Sequence, residues 1–175
     1  MRRAWLARTC LFVLAAIVLA GIGRGRALWS GSADGPPVPR QSQAGSTKQP
    51  VPFAALIEPE DLARILQSPR GQKPLILQVG VRLLYREGHI PGAEYIGPAS
   101  RDEGLRQLRQ RVSSLARSKP IVLYCGCCPW SRCPNVQPAY EALRTLGFTQ
   151  VKVLHLDQNF GTNWVAKGFP TAKGE

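Results

Sequence analysis

Acidic side chains are what this sequence has least of for its size. Asp and Glu number 11 against 23 Lys and Arg, a formal net charge of +12. Such an excess invites nucleic acid as a partner, but its distribution argues against that. Residues 1–50 carry seven basic side chains and Asp34 as their one acid, so half the excess lies in the first 50 of 175 residues. Long apolar runs are scarce too. The longest uncharged, mostly apolar stretch is Thr9–Gly23, 15 residues, which as a helix spans about 22 Å against about 30 Å of bilayer hydrocarbon. There is no internal repeat, and 175 residues leave room for one ordinary domain. With 44% hydrophobic and 19% charged residues, the chain can build a core and is not disordered throughout.

What is present divides the chain in three. Met1–Arg8 holds three arginines and no acid, and small residues follow the short apolar run, the pattern of a secretory signal. Residues 1–27 are therefore expected to be a signal peptide, cleaved after Ala20 or Ala27, or else an uncleaved signal anchor. Residues 28–52, rich in Gly, Ser, Pro and Gln, read as a flexible linker. Residues 53–175 are expected to form the folded domain. It would be exported, periplasmic or extracellular, and would touch membrane only through the N-terminal segment.

Within that domain, helical and strand patterns alternate. Leu62, Ile65 and Leu66 share one face of a helix over Glu60–Gln67, which Ser68-Pro69-Arg70-Gly71 ends. Leu75–Val79, Ile121–Tyr124 and Val151–Leu156 read as buried strands. Asp102–Arg117 is amphipathic, with Leu105, Leu108, Val112 and Leu115 inward; Val136, Ala139, Tyr140, Leu143 and Leu146 mark another helix. Alternation of this kind predicts an α/β fold with a parallel sheet covered on both faces. The basic face of Asp102–Arg117 also carries Asp102 and Glu103 and has no interleaved aromatics, so it reads as a solvated helix face. No nucleic-acid partner is expected.

Four of the five cysteines fall in one stretch, Cys125-Gly126-Cys127-Cys128-Pro129-Trp130-Ser131-Arg132-Cys133, directly after Ile121–Tyr124 and before a helix opening near Pro134–Asn135. Ligands of open parallel sheets bind at the carboxyl ends of strands. A loop entering a helix N-terminus turns N–H groups toward an anion, and with Arg132 these favour thiolate, the nucleophilic form. In an oxidising compartment neighbouring thiols pair, and Cys128 with Cys133 is the expected disulfide, Cys127 being the other partner open to Cys133. Zinc sites join separated ligand pairs, which this loop lacks; soft Cu(I) would tolerate it. No resident metal or cofactor is expected. Of the two histidines, His89 reads as holding a turn and His155 as a core residue within the third strand. Trp164 reads as core, and Trp130 as either an exposed rim or loop packing.

Gly88-His89-Ile90-Pro91-Gly92-Ala93, the Tyr-Cys that ends an apolar strand, and the late Trp164 with Gly168-Phe169-Pro170 together resemble the rhodanese domain over about Phe53 to Thr171. The resemblance implies a five-stranded parallel sheet with flanking helices. It also implies a sulfurtransferase whose loop cysteine takes up sulfane sulfur as a persulfide and passes it to a thiophilic acceptor. By position that cysteine is Cys125, with Cys127 the second choice; Gly126, Cys127, Cys128, Trp130 and Ser131 would cradle the persulfide, and Arg132 would steer a small anionic donor. Such loops usually place four residues between the cysteine and an Arg or Lys; here six separate Cys125 from Arg132 and four separate Cys127 from it. The strand that often ends in Asp-Val-Arg reads Gln78-Val79-Gly80, and Asn159-Phe160-Gly161 replaces the usual Gly-Gly before the late Trp. The other reading left open is a rhodanese-like module without sulfur transfer, acting in thiol redox chemistry, with a redox partner protein, or in metal binding.

Overall fold

The computed structural model describes residues 50–174. The expected signal over residues 1–27, with Cys10, lies outside the described residues, as does all but the end of the linker. Five strands, β1 (Leu56–Ile57), β2 (Leu75–Gln78), β3 (Glu94–Tyr95), β4 (Ile121–Tyr124) and β5 (Val151–Leu154), form one sheet in the order β1-β5-β4-β2-β3. Every pairing is parallel, as the alternation predicts. Four helices connect them: α1 (Pro59–Gln67), α2 (Arg82–Glu87), α3 (Asp102–Val112) and α4 (Val136–Thr145). Among the described residues no helix is long and apolar enough to cross a membrane.

Side chains of a strand alternate between faces, and here each face has its own core. Leu77, Val79, Ile121, Leu123, Cys125, Val151 and Val153 pack with Leu108 and Val112 of α3 and Val136, Ala139 and Leu143 of α4. Ile76, Val122, Tyr124 and Leu154 pack on the other face with Leu62 of α1, Tyr85 of α2, Ile90 and Trp164. Burying a side chain such as Leu77 or Leu123 contributes about 1.5–3 kcal/mol each, and burial on both faces is why these strands read as continuous apolar runs. Trp164 is core as expected, its indole N–H donating to the Pro170 carbonyl at 2.9 Å.

Several boundaries differ from the pattern, each for a local reason. The domain takes up Val51, expected to be linker: it is buried, and its N–H donates to Gln137 Oε1 at 3.1 Å. Helix α3 stops at Val112 rather than Arg117. There the Ser113 hydroxyl donates to the Gln110 carbonyl, the side-chain competition that ends helices, and Arg117 folds back over the Phe148 ring at 4.6 Å. Strand β5 ends at Leu154, so His155 is neither within a strand nor in the core. It is part exposed beyond the strand end, with Nδ1 2.6 Å from Glu58 Oε1 and Nε2 2.9 Å from Asp157 Oδ1. Two-residue β1 and β3 and the six-residue α2 are too short for periodicity to reveal.

The Gly88–Ala93 segment is built as a turn. Pro91 and Gly92 occupy its corner, Gly92 at φ 79°, and the Ala93 N–H closes on the Ile90 carbonyl at 2.9 Å, the type II arrangement that asks for glycine. His89 holds it as expected: its Nδ1 is 2.8 Å from the Tyr85 carbonyl, its ring stacks on Tyr85 at 3.9 Å, and its backbone bridges Ala172. The Ile90 N–H donates to the Tyr124 hydroxyl at 3.3 Å, tying the turn to β4 one residue before Cys125.

Candidate active site

The register of β2 on β4 sets Gln78 beside Tyr124 at the carboxyl ends of the two central strands. The next pair is Val79, whose N–H donates to the Tyr124 carbonyl at 2.8 Å, and Cys125. Gln78, which stands where the family pattern has Asp, spans this end: its side-chain amide donates to the Cys125 carbonyl at 2.9 Å, and its Oε1 accepts the Gly80 N–H at 3.2 Å. A Cβ on Gly80 would stand 2.8 Å from Cys125 Sγ. The chain therefore gains, from a glycine in place of the usual arginine, the space that the thiol fills.

Cys125 is buried, at 2% exposure, and its sulfur is surrounded by donors. The Cys133 thiol lowers its pKa most; against this works burial, and the Cys127 N–H, the Cys127 thiol at 3.3 Å and Asn135 Nδ2 at 3.4 Å add to the lowering. The result is a thiol with a pKa of about 6. Burial and its thiol neighbours instead raise exposed Cys127 to about 12. The two thiols that the sequence leaves open are thus unequal in the fold: the surroundings favour the thiolate at Cys125 and disfavour it at Cys127.

The expected Cys128–Cys133 disulfide is not formed, and all four loop cysteines are free thiols. Cys133 turns into the core and shares a hydrogen bond with Cys125, while the Cys128 sulfur lies 3.1 Å from Cys127. The backbone N–H groups of Asn135 and Val136, at the start of α4, point at Cys133 Sγ and not at Cys125. The sulfurs of Cys125, Cys127 and Cys133 all lie within 4.8 Å of one another.

The loop differs from the expected cradle in a second way. Trp130-Ser131-Arg132 forms a single 3₁₀ turn, and the Trp130 N–H is spent on the Leu156 carbonyl at 2.9 Å. Pro129 has no N–H to give, so the amide aimed at the Cys125 sulfur is that of Cys127. Trp130 is half-buried, edge-on to Phe53 and His155, which favours loop packing over an exposed rim.

Cys125 faces a cleft of about 360 Å³, floored by Gln78, Tyr124, Gly126 and Cys127 and walled by Leu84, Glu87, Phe160 and Val165. Gly126, at φ 91°, would meet Phe160 3.2 Å away if it carried a Cβ, so the chain can cross beneath the aromatic ring. Among the described residues no Lys or Arg lines this cleft, and its one carboxylate is Glu87. Arg132, expected to steer an anion here, is exposed on the 3₁₀ turn outside the lining; the longer spacing from Cys125 carries it past the cleft. Asn135, Gln78, Gly80, Glu87 and Phe160 are site residues that sequence reasoning did not single out. Only Gln78-Val79-Gly80 and Asn159-Phe160-Gly161 left a signal, as departures from the family pattern.

Comparison with known proteins agrees with this geometry. The profile of the rhodanese-like domain family matches residues 58–157. The rhodanese-like domain of an Anabaena sp. protein is 27% identical, with a TM-score of 0.50, over 69% of this chain and 80% of that one. A thiosulfate sulfurtransferase from Pseudomonas aeruginosa is also 27% identical, with a TM-score of 0.51, over 69% of this chain but only 19% of that much longer one. A Bacillus halodurans protein at 21% identity shares the fold, with a TM-score of 0.52 over 67% of this chain and 76% of its own. No curated protein matches.

Proposed function

The chain belongs to the rhodanese-like domain family, and from that premise we propose that it is a sulfurtransferase whose nucleophile is Cys125. The observation that carries the reading is the state of that thiol: anchored at the end of β4, held toward thiolate by four donors, and open to a cleft at the carboxyl edge of the sheet. The Cys125 thiolate attacks the sulfane sulfur of a donor. An S–S bond forms to Cys125, the donor's bond to that sulfur breaks, and the remainder of the donor leaves with the electron pair. A thiophilic acceptor then takes the outer sulfur and regenerates the thiolate. The Cys127 N–H and the Asn135 amide supply hydrogen bonds around the sulfur in both states.

The charge of the cleft bears on the donor. Sulfane sulfur carried by thiosulfate would have to approach Glu87 without a lining cation to offset it. A low-molecular-weight persulfide brings less charge and suits the apolar wall of Leu84, Phe160 and Val165. Intact mass spectrometry of the protein after incubation with each donor tests the reading. Wild type is expected to gain one sulfur atom and Cys125→Ser none; sulfur loading that survives Cys125→Ser and disappears in Cys127→Ser moves the nucleophile to Cys127.

The same reading includes export. The three arginines and short apolar run at the start have no role in an α/β domain. Fractionation of cells carrying a C-terminally tagged chain checks it, and recovery of the uncleaved protein in the soluble cytoplasm would remove export from the reading.

A further inference from the structure

In the transfer cycle just described Cys133 serves only as a hydrogen-bond donor to Cys125, and its own sulfur is not used. It is buried, it contacts the Cys125 thiol, and it lies off the cleft that Cys125 lines. We propose that Cys133 is a resolving thiol, which attacks Cys125 Sγ once that sulfur carries a sulfane sulfur and expels the outer sulfur as hydrosulfide. The proposal rests on persulfide formation at Cys125.

The geometry suits the step. A sulfur added to Cys125 has room in the cleft, and Cys133 has its sulfur outside that lining, buried among the core side chains of α4. Thiol attack on a sulfur–sulfur bond requires the nucleophile opposite the leaving sulfur. Cys133 lies off the cleft in which the added sulfur has room, whereas Cys127 lines that cleft with the leaving group. The three sulfurs lie within 4.8 Å, so closing Cys125 to Cys133 at the disulfide length of about 2.05 Å brings the two sulfurs together by less than about 3 Å.

The step also carries its own timing. What holds Cys133 protonated is first its hydrogen bond with Cys125, then burial, then the Cys125 negative charge. Persulfide formation draws the Cys125 Sγ electron pair into an S–S bond and moves the negative charge one sulfur outward, into the cleft. The two N–H groups of Asn135 and Val136, which favour the Cys133 thiolate, stay in place. Resolution therefore waits until sulfur is loaded.

Atoms and electrons balance. The Cys133 thiol loses its proton, a bond forms between Cys133 Sγ and Cys125 Sγ, and the bond from Cys125 Sγ to the outer sulfur breaks. The outer sulfur leaves with the electron pair and takes up the proton as hydrosulfide. Two thiols are oxidised to a disulfide and one sulfane sulfur is reduced to sulfide; an external dithiol reductant then returns the pair to thiols. The domain thereby turns sulfane sulfur into sulfide, a reaction separate from transfer to an acceptor.

The test uses the full chain, reduced and desalted, loaded with thiosulfate in one arm and cysteine persulfide in the other. Each sample is desalted again and held without acceptor while sulfide and intact mass are followed. Wild type is expected to lose the added sulfur, release one equivalent of hydrosulfide and end two hydrogens lighter than the reduced chain, with the bond mapped to Cys125 and Cys133. Cys133→Ser and Cys133→Ala, which lose the thiol donor to Cys125 and so load more slowly, should keep the sulfur once loaded, releasing sulfide only when a thiol is added. Loading itself reports that the variants are folded. Wild type that holds its persulfide as long as Cys133→Ser, or a bond mapped from Cys125 to Cys127, overturns the resolving role while leaving the nucleophile intact. No sulfur on any of the three proteins overturns the persulfide reading and this one with it.

Discussion

Gly80 and Cys125 are in contact across the ends of the two central strands: a Cβ on Gly80 would lie 2.7 Å from the Cys125 carbonyl oxygen and 2.8 Å from its sulfur. Neither atom can yield easily, since that carbonyl already accepts the Gln78 amide and the sulfur sits among its donors. Gly80→Ala is therefore an overpacking change, expected to cost about 1–3 kcal/mol and to displace the thiol. Thermal unfolding should show the loss, and alkylation of Cys125 should slow. A variant equal to wild type in both would mean that the strand ends move apart freely.

The pH dependence of Cys125 follows from its lowered pKa. Thiolate persists down to about pH 6, and below that it falls about tenfold per unit. The rate of iodoacetamide capture at Cys125, read by peptide mapping, should rise through pH 6 and level off by neutrality. Removing a donor weakens the charged form, so Asn135→Ala should move the midpoint upward, and Cys133→Ala further, because the Cys133 thiol is the largest contribution. A midpoint near the ordinary thiol range in wild type would contradict the arrangement.

Glu87 is the one carboxylate lining the cleft. Glu87→Gln should speed sulfur loading from thiosulfate by about two- to fivefold, the scale of a partly solvated charge contact, with the gain shrinking as salt is added. Loading from a low-molecular-weight persulfide should change less. Arg132→Ala, by contrast, should leave thiosulfate loading nearly unchanged, because Arg132 lies outside the lining. A large loss in Arg132→Ala would show that the loop brings the guanidinium to the donor.

Val51 and Phe53, two residues apart, should behave oppositely. Val51 is buried at 5% exposure while Phe53 is 82% exposed. Val51→Ala is expected to destabilise the domain by about 1–2 kcal/mol, and Phe53→Ser to stay within about 0.5 kcal/mol of wild type. Denaturant unfolding of the two variants decides whether the domain begins before the Pro-rich stretch ends.

How far the sequence reaches can be judged from particular residues. Ile121–Tyr124 and Leu75–Gln78 were legible as strands because burial on both faces of a parallel sheet leaves an apolar run with no alternative use. The position of Cys125 followed from that strand with no residue between them. By the same logic His89 and Trp164 were legible, being tied to a turn and a core that the local pattern announces. Strands of two residues, such as Leu56–Ile57 and Glu94–Tyr95, carry too little pattern to be seen and exist because a neighbouring strand supplies their hydrogen bonds.

The roles within the cysteine loop were decided only by tertiary structure. Spacing along the chain allowed Cys128 to pair with Cys133 and allowed Arg132 to reach the nucleophile. The fold instead buries Cys133 against Cys125, turns the amides of Asn135 and Val136 onto Cys133, and spends the Trp130 amide on Leu156. Strand placement is a local matter, fixed by which side chains must leave water. The state of a thiol depends on donors brought from both ends of the loop and from the residue that precedes α4 at once, and distances among them are set by packing against the sheet.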